Sequence, residues 1–350
     1  MSQNSSQPTK HQREWVKPLR IGVVGATGMV GQSFMRLLEE WQVPVSELRP
    51  FASENSLGKT VKLGAQDWQI QILLESCFKD LDIVFFSSGD DISKQWAPKA
   101  AAAGAFAIDN SAAFRMSPEH LLIVPEVNGE LLNLNSRPQV IANPNCSTIQ
   151  LVVALSGLRK FGIRSVKAAT YQAVSGAGLP AYQELLSQTK SQIQNEPMTV
   201  KELPHQIGFN LIPQIGSFND QGFCSEEVKI MAETKKILGL TKTHVSAFTV
   251  RVPVLNAHSE AVWVELEKEI SREEMLETLQ STPGLVVVDD PKKSIYPMPK
   301  DVSGQDPVYV GRVHRDPEDA KLWMMWVVSD NIKKGAALNG LQIAEILFCK

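Results

Sequence analysis

The chain has 350 residues, 43% of them apolar and 21% charged, with a formal net charge of −3. That length exceeds what one hydrophobic core usually serves, so two domains are expected. A weak negative charge without any Lys/Arg run excludes a nucleic-acid or membrane-surface binder, and no apolar stretch reaches the roughly 18 residues a membrane-spanning helix needs.

Residues 1–17, rich in Ser, Gln and charged side chains, lack the apolar centre of a signal peptide and read as a disordered leader. Leu19–Val24 is a short apolar run expected to form a buried strand, followed by a glycine loop at 25–31. A helix should come next, with Val30, Phe34, Leu37, Leu38 and Trp41 on one face, ending before Pro44. Further strands are expected at 48–52, 83–86, 105–108 and 140–142, with an alanine-rich helix at 95–103. Strands alternating with helices at this spacing predict an α/β, doubly wound, mostly parallel nucleotide-binding domain over 18–146. Beyond Cys146 the strands lengthen (167–173, 244–254, 261–267, 321–328) and interleave with helices at 181–194, 225–238 and 272–280. This pattern predicts, over 147–329, an α+β domain with a mostly antiparallel or mixed sheet and helices on one face. A final helix is expected over 333–348.

Gly25, Gly28 and Gly31 lie between a strand and a helix, where free backbone N–H groups and the helix dipole favour an anion. The spacing departs by one residue from the dinucleotide fingerprint, and nucleotide binding is preferred over a bare tight turn. Cofactor choice should be read from the loop after the second strand, Ser53 to Lys59. Ser53, Ser56 and Lys59 could meet a 2′-phosphate and Glu54 would repel one, so the loop alone leaves NAD and NADP open. The four cysteines (Cys77, Cys146, Cys224, Cys349) show no C-x-x-C pair, so neither a disulfide framework nor a metal site is expected, and a reducing, cytoplasmic setting is. Cys146 falls where a helix should start, a position that lowers a thiol pKa and offers N–H groups to an oxyanion. Local physics leaves it open whether Cys146 is a nucleophile or a small buried hydrophobe.

In order along the chain, Gly25–Gly31 (GATGMVG), Asn143–Gln150 (NPNCSTIQ), Arg251–Glu260 (RVPVLNAHSE) and Asn331–Glu345 (NIKKGAALNGLQIAE) resemble the signature segments of the aspartate-semialdehyde dehydrogenase family, in its bacterial branch. The resemblance covers nearly everything after the leader. It implies reduction of L-aspartyl 4-phosphate to L-aspartate 4-semialdehyde with NADPH, through a thioester on Cys146, in aspartate-derived synthesis of lysine (via diaminopimelate), threonine and methionine. His258 would be the general acid/base and Arg251 the grip on the substrate α-carboxylate. Glu226 would take the substrate amino group and Lys229 the phosphate, although E-x-x-K spacing on its own reads as a solvated ion pair. Arg115 and Asn145 would contact phosphate, and Gln172 would orient substrate. Gly25, Thr27, Gly28, Met29, Val30, Ser53, Asn55, Ser56, Ser87, Gly89, Ser175, Gly176 and Asn331 would line the cofactor, with 330–350 returning to the first domain. The family also implies a homodimer or homotetramer whose contact is the second-domain sheet. One departure stands out: the family's arginine after the second strand is Asn55 here, preceded by Glu54, which weakens the expected preference for NADP.

Two rivals remain. A related N-acetyl-glutamyl-phosphate-type reductase would share the cysteine and glycine loop, yet an acetylated substrate has no use for an acid like Glu226. A non-catalytic nucleotide-binding homologue should have lost Cys146 or His258, and both are present. A glyceraldehyde-phosphate dehydrogenase is disfavoured by the residues around Cys146.

Overall fold

The computed structural model describes residues 14–350. Residues 1–13 of the expected leader lie outside the described residues, and its remainder departs from expectation. Trp15 pairs with Cys349 through a β-bridge, and Lys17 Nζ lies 2.6 Å from Asp82.

The first half contains β1 (Leu19–Val24), α1 (Met29–Glu40), β2 (Val45–Phe51), a small hairpin of β3 (Thr60–Leu63) and β4 (Gln66–Gln69), β5 (Ile83–Phe86), α2 (Asp90–Ala102), β6 (Phe106–Asp109), β7 (Leu121–Leu122), α3 (Pro125–Asn128) and β8 (Val140–Ala142). Six of the strands form one sheet in the order β2-β1-β5-β6-β8-β7, and every pairing in it is parallel. Side chains alternate strictly between its two faces. Leu19, Ile21, Val23, Ile83 and Phe85 pack with α1 and the C-terminal helix on one side, whereas Val24, Val84 and Phe86 pack with Trp96 and Ala97 of α2 on the other. The strand order reverses between β1 and β5, so a crevice opens at their carboxyl ends, where such sheets bind ligands.

Several details differ from those expected. β2 begins at Val45, not 48, and α2 begins at Asp90, not 95. The hairpin was unforeseen because its strands are only four residues long and mostly exposed. The expected C-terminal helix is a π-helical turn, Lys333–Ala337, followed by α9 (Leu338–Phe348).

The second half starts with α4 (Cys146–Ser156) and continues through β9 (Ile163–Gln172), α5 (Leu179–Gln194), α6 (Ser225–Leu238), β10 (His244–Arg251), β11 (His258–Leu266), α7 (Arg272–Gln280), β12 (Leu285–Val287), α8 (Pro299–Val302), β13 (Val308–Arg315) and β14 (Leu322–Ser329). Its sheet runs β10-β9-β11-β14-β13-β12 and is mixed: the outer pairs β10–β9 and β13–β12 are parallel and the inner ones antiparallel. β11 opens at His258, three residues before the expected start, which makes that histidine the first strand residue. β13 escaped the sequence reading because Gly311 and Arg312 (φ +53°) interrupt its alternation. Helices α4, α6 and α7 cover one face. The other face carries Tyr171, Phe248, Trp263, Met324 and Trp326, with Tyr171 and Phe248 exposed, and includes an apolar cavity of about 500 Å³.

The C-terminal segment is fastened by a buried ion pair. Lys334 Nζ lies 2.7 Å from Glu126 and also donates to Gln342 (2.7 Å) and Asn339 (3.2 Å). Removing the cation leaves a carboxylate buried without its counter-charge, so Lys334→Met should destabilise the protein by about 3–5 kcal/mol. Urea unfolding measures this, and a loss below about 1 kcal/mol refutes the assignment of the pair as a structural anchor.

Candidate active site

α4 begins where the chain passes from one sheet to the other. Asn145 caps it: Asn145 Oδ1 accepts from the N–H groups of Ser147 (3.0 Å) and Thr148 (3.2 Å). Two buried acids of α6 clamp this cap from outside. The Asn145 N–H donates to Glu233 Oε2 at 2.7 Å, and Asn145 Nδ2 donates to Glu226 Oε1 at 2.8 Å. Cys146, the first residue of α4, thereby faces a cavity of about 540 Å³ between the two sheets.

All eight residues expected to touch substrate or perform chemistry line this cavity: Cys146, His258, Arg115, Asn145, Gln172, Glu226, Lys229 and Arg251. So do Gly28, Met29, Val30, Ser87, Ser175, Gly176 and Asn331. Gly25, Thr27, Ser53, Asn55, Ser56 and Gly89 do not; Thr27, Ser53, Asn55 and Gly89 are exposed and Ser56 is buried. Those positions belong to the rim after β1, β2 and β5, farther along the path an extended dinucleotide would follow.

Both arginines are buried, yet each retains donors for a ligand. Arg115 gives three N–H groups to the protein, bonding Asn143 C=O (3.0 Å), Glu233 Oε1 (3.1 Å) and Asn110 C=O (2.8 Å). Arg251 gives only Nη1, to Ala173 C=O at 2.8 Å. Glu226, 7% exposed, accepts from Gln172 Nε2 at 3.2 Å and lies 3.7 Å from Lys229. The i,i+3 pair read from the sequence therefore exists, but it borders the cavity instead of bulk solvent. His258 is fully buried; its Nδ1 accepts from the Ala173 N–H at 3.0 Å, while its Nε2 has no hydrogen-bond partner. Ala257, just before it, holds φ +69°, a strained value for a residue with a Cβ. Asn331 Oδ1 secures that turn by accepting the Ala257 N–H at 3.0 Å.

Three contributors were not foreseen. Glu233 lies seven residues after Glu226 and so shares its face of α6, a spacing that could have revealed it. Asn143 bonds Asn339 of the C-terminal helix. Gly335, in the π-helical turn, lies so near Cys146 that a Cβ there would come 2.8 Å from the Cys146 Cβ. π-helical turns often occur at functional positions, and this one makes room for the sulfur.

The electrostatics correct one expectation. The thiol pKa is not lowered: burial first, then the negative charge of Glu226, pushes Cys146 up to about 12, outweighing Arg115, Arg251 and the Ser147 N–H. The helix start compensates only weakly, because the Ser147 N–H that reaches the sulfur is shared with Asn145 Oδ1, which also takes the Thr148 N–H. Burial, followed by the nearby Arg251 charge, holds His258 well below the ordinary histidine value.

The glycine loop fits a dinucleotide phosphate. Gly25 adopts φ +82°, and a Cβ there would come 2.7 Å from the Ser87 C=O. Gly28 caps α1 without a side chain, and no acid lies in the first turn, so N–H groups are left for an anion. Among the described residues no cluster of His, Cys, Asp or Glu could hold a metal, and no helix is long and apolar enough to cross a membrane.

Comparison with known proteins agrees with this geometry. Residues 20–134 match the family model "Semialdehyde dehydrogenase, NAD binding domain", and residues 155–334 match "Semialdehyde dehydrogenase, dimerisation domain". Aspartate-semialdehyde dehydrogenase of Aquifex aeolicus is 47% identical over 94% of this chain and 97% of its own, and that of Bacillus subtilis is 43% identical with the same coverage. The crystal structure of aspartate semialdehyde dehydrogenase II from Vibrio cholerae, also solved complexed with ASA, superposes with a TM-score of 0.90 at 40% identity, covering 95% of this chain and 98% of that one. The Candida albicans enzyme, solved with NADP, superposes at 0.73 with 26% identity, covering 95% and 98%.

A thiol that is protonated throughout the neutral range should alkylate faster with every step in pH. In the ligand-free protein, iodoacetamide labelling of Cys146, followed by peptide mass spectrometry, should rise about tenfold per pH unit from 7 to 9 without a plateau. Glu226→Gln should label faster at each pH. A plateau below pH 8 would refute the raised thiol.

Proposed function

We infer that this chain, which belongs to the aspartate-semialdehyde dehydrogenase family, reduces L-aspartyl 4-phosphate to L-aspartate 4-semialdehyde through a thioester on Cys146. The observation that carries this reading is the convergence of Cys146, His258, Arg251 and Glu226 on one cavity that also contains the start of α1.

The residues divide the substrate between them. Arg251, with most of its guanidinium donors uncommitted, grips the α-carboxylate, and Glu226 receives the α-ammonium group. Arg115, Lys229 and Asn145 attend the phosphate. The ammonium neutralises Glu226, the charge that most opposes thiol ionisation after burial itself, so substrate docking helps to generate its own nucleophile. The Cys146 sulfur then bonds the acyl carbon as the carbon–phosphate oxygen bond breaks, and hydrogen phosphate departs with the thiol proton, which the thiolate expelled in the last step regains from solvent. A nicotinamide held at the start of α1 would supply the hydride that the thioester carbon accepts. Collapse of the resulting tetrahedral oxyanion breaks the carbon–sulfur bond and releases the aldehyde, which feeds aspartate-derived amino-acid synthesis.

NADPH is the cofactor proposed. β2 ends at Phe51 and is followed by Ala52 and Ser53, so no acid occupies the strand end where NAD enzymes hold the ribose. Glu54 and Asn55 follow on the exposed rim, and the preference is therefore weaker than in relatives with arginine there. An N-acylated substrate is disfavoured because it would bury Glu226 against an uncharged amide.

Mixing the protein with aspartate semialdehyde, phosphate and NADP should generate NADPH in a phosphate-dependent way. Cys146→Ala should abolish this, and kcat/KM should favour NADPH over NADH. Activity that survives Cys146→Ala refutes the thioester, whereas a clear NADH preference refutes only the cofactor assignment.

The apolar outer face of the second sheet, with Phe248 and Tyr171 exposed, is proposed to bury itself against a second copy. Analytical ultracentrifugation should give a dimer or tetramer mass, and Phe248→Glu should weaken it at least about tenfold. A monomer at micromolar concentration discards the interface.

A further inference from the structure

We propose that Lys236 is a positioning residue for the phosphate: it fixes the backbone of Arg115, so that this guanidinium and Lys229 meet the phosphate as a preset pair. The proposal deepens the reaction and the phosphate contacts assigned above and rests on them.

Three carbonyl groups carry it. Between β6 and β7 the chain turns so that the C=O groups of Arg115, Ser117 and His120 converge on one point beside α6. Lys236 Nζ occupies that point and donates to them at 2.8, 2.7 and 3.1 Å. Carbonyl dipoles aimed at one another repel unless a cation lies among them. An ammonium group has three hydrogens, so this loop uses every donor that Lys236 owns. Lys236 does not line the cavity and has no N–H left for a ligand. Any effect it has on the reaction passes through Arg115.

The same helix holds Arg115 at both ends. Glu226, Lys229, Glu233 and Lys236 are separated by three, four and three positions and so fall on one face of α6. Glu233 takes the Arg115 side chain at 3.1 Å, and Lys236 takes its backbone. The Asn143 and Asn110 C=O groups accept two more guanidinium N–H groups, at 3.0 and 2.8 Å. Of the five hydrogens on a guanidinium, two are then left for the cavity that Arg115 lines. Lys229, one turn before Glu233, lines it too. The contact between the Phe114 and His120 rings (4.8 Å) adds apolar packing to the loop but satisfies none of the three carbonyls.

An arginine on a loose loop must be ordered when its ligand arrives, and that ordering weakens binding; one already fixed avoids the cost. The other two ligands are held elsewhere. Arg251, the carboxylate grip, is on β10, and the glycine loop opens α1; Lys236 bonds neither. Loss of the anchor should therefore be felt by one substrate of the three.

Steady-state kinetics with aspartate semialdehyde, inorganic phosphate and NADP read this split. Lys236→Met should raise the KM for phosphate by about 10–100-fold, the cost of a binding group displaced by roughly an ångström. The KM values for the semialdehyde and NADP, and kcat at saturating phosphate, should stay within about threefold. Lys236→Arg keeps the charge, but its planar fork cannot bring three hydrogens to one point, so it should raise the phosphate KM at least about threefold. If Lys236→Met loses its circular dichroism, Lys236→Arg carries the comparison alone. Equal shifts in all three KM values, or an unchanged phosphate KM in either folded variant, overturn the proposal. Hydrogen exchange of the 111–120 amides in the ligand-free protein should quicken in both variants, and unchanged exchange there overturns the anchor as well. That measurement needs no turnover, so absence of phosphate-dependent activity in the unsubstituted protein would count against the reaction alone.

Discussion

The site is built on the clamp that α6 places around Asn145. This residue is the point where the chain leaves the parallel sheet and enters the mixed one, and its backbone and side chain are both held by buried carboxylates, Glu233 and Glu226. Glu233 also takes Arg115, and Lys236, one turn on, collects the C=O groups of Arg115, Ser117 and His120. One helix of the second unit therefore sets the position of the nucleophile and of a cation from the first. Buried charges at such a junction are costly unless fully paired, and here each carboxylate has several donors.

A second constraint comes from the end of the chain. After β14 the backbone returns to the first sheet through Asp330, Asn331 and the π-helical turn, and Asn339 of α9 bonds both Asn143 and the Ile123 C=O. The loop before Cys146 is thus held from the C-terminal side as firmly as from α6. Gly335 fits this arrangement because the turn passes too close to the nucleophile for any side chain. The extra residue of the π turn has a local function: it lets α9 pack on the parallel sheet while the turn itself stays against the sulfur.

Chemically, the ligand-free site is organised around restraint. Its cysteine is held protonated by burial and by the neighbouring Glu226 carboxylate, and its histidine is held neutral by burial and by an arginine. A cavity that brings two arginines and one glutamate within reach of one sulfur keeps the reactivity of that sulfur low while the carboxylate stands uncompensated.

Much of this was legible in the residues. The apolar runs Ile21–Val24 and Ile83–Phe86 specify strands buried on both faces, because successive side chains point to opposite faces and each face then needs a core. The Gly25–Gly31 loop and the Asn143–Cys146 turn announce a phosphate-binding crossover and a cysteine at a helix start, since both signals are local in the chain. The signals that failed were short or interrupted: the four-residue strands of the hairpin, β13 broken at Gly311 and Arg312, and the π turn hidden in an unbroken helical pattern. Local sequence also pointed the wrong way on the thiol, because a helix start lowers a pKa only while its N–H groups are free and no carboxylate shares the cavity. Where Glu226 and Glu233 come to rest, which ring nitrogen of His258 meets the Ala173 N–H, and how near Gly335 passes to Cys146 are contacts between residues 81 to 189 positions apart. Distances of that kind are set by how two sheets pack around one crossing point, and only the folded chain decides them.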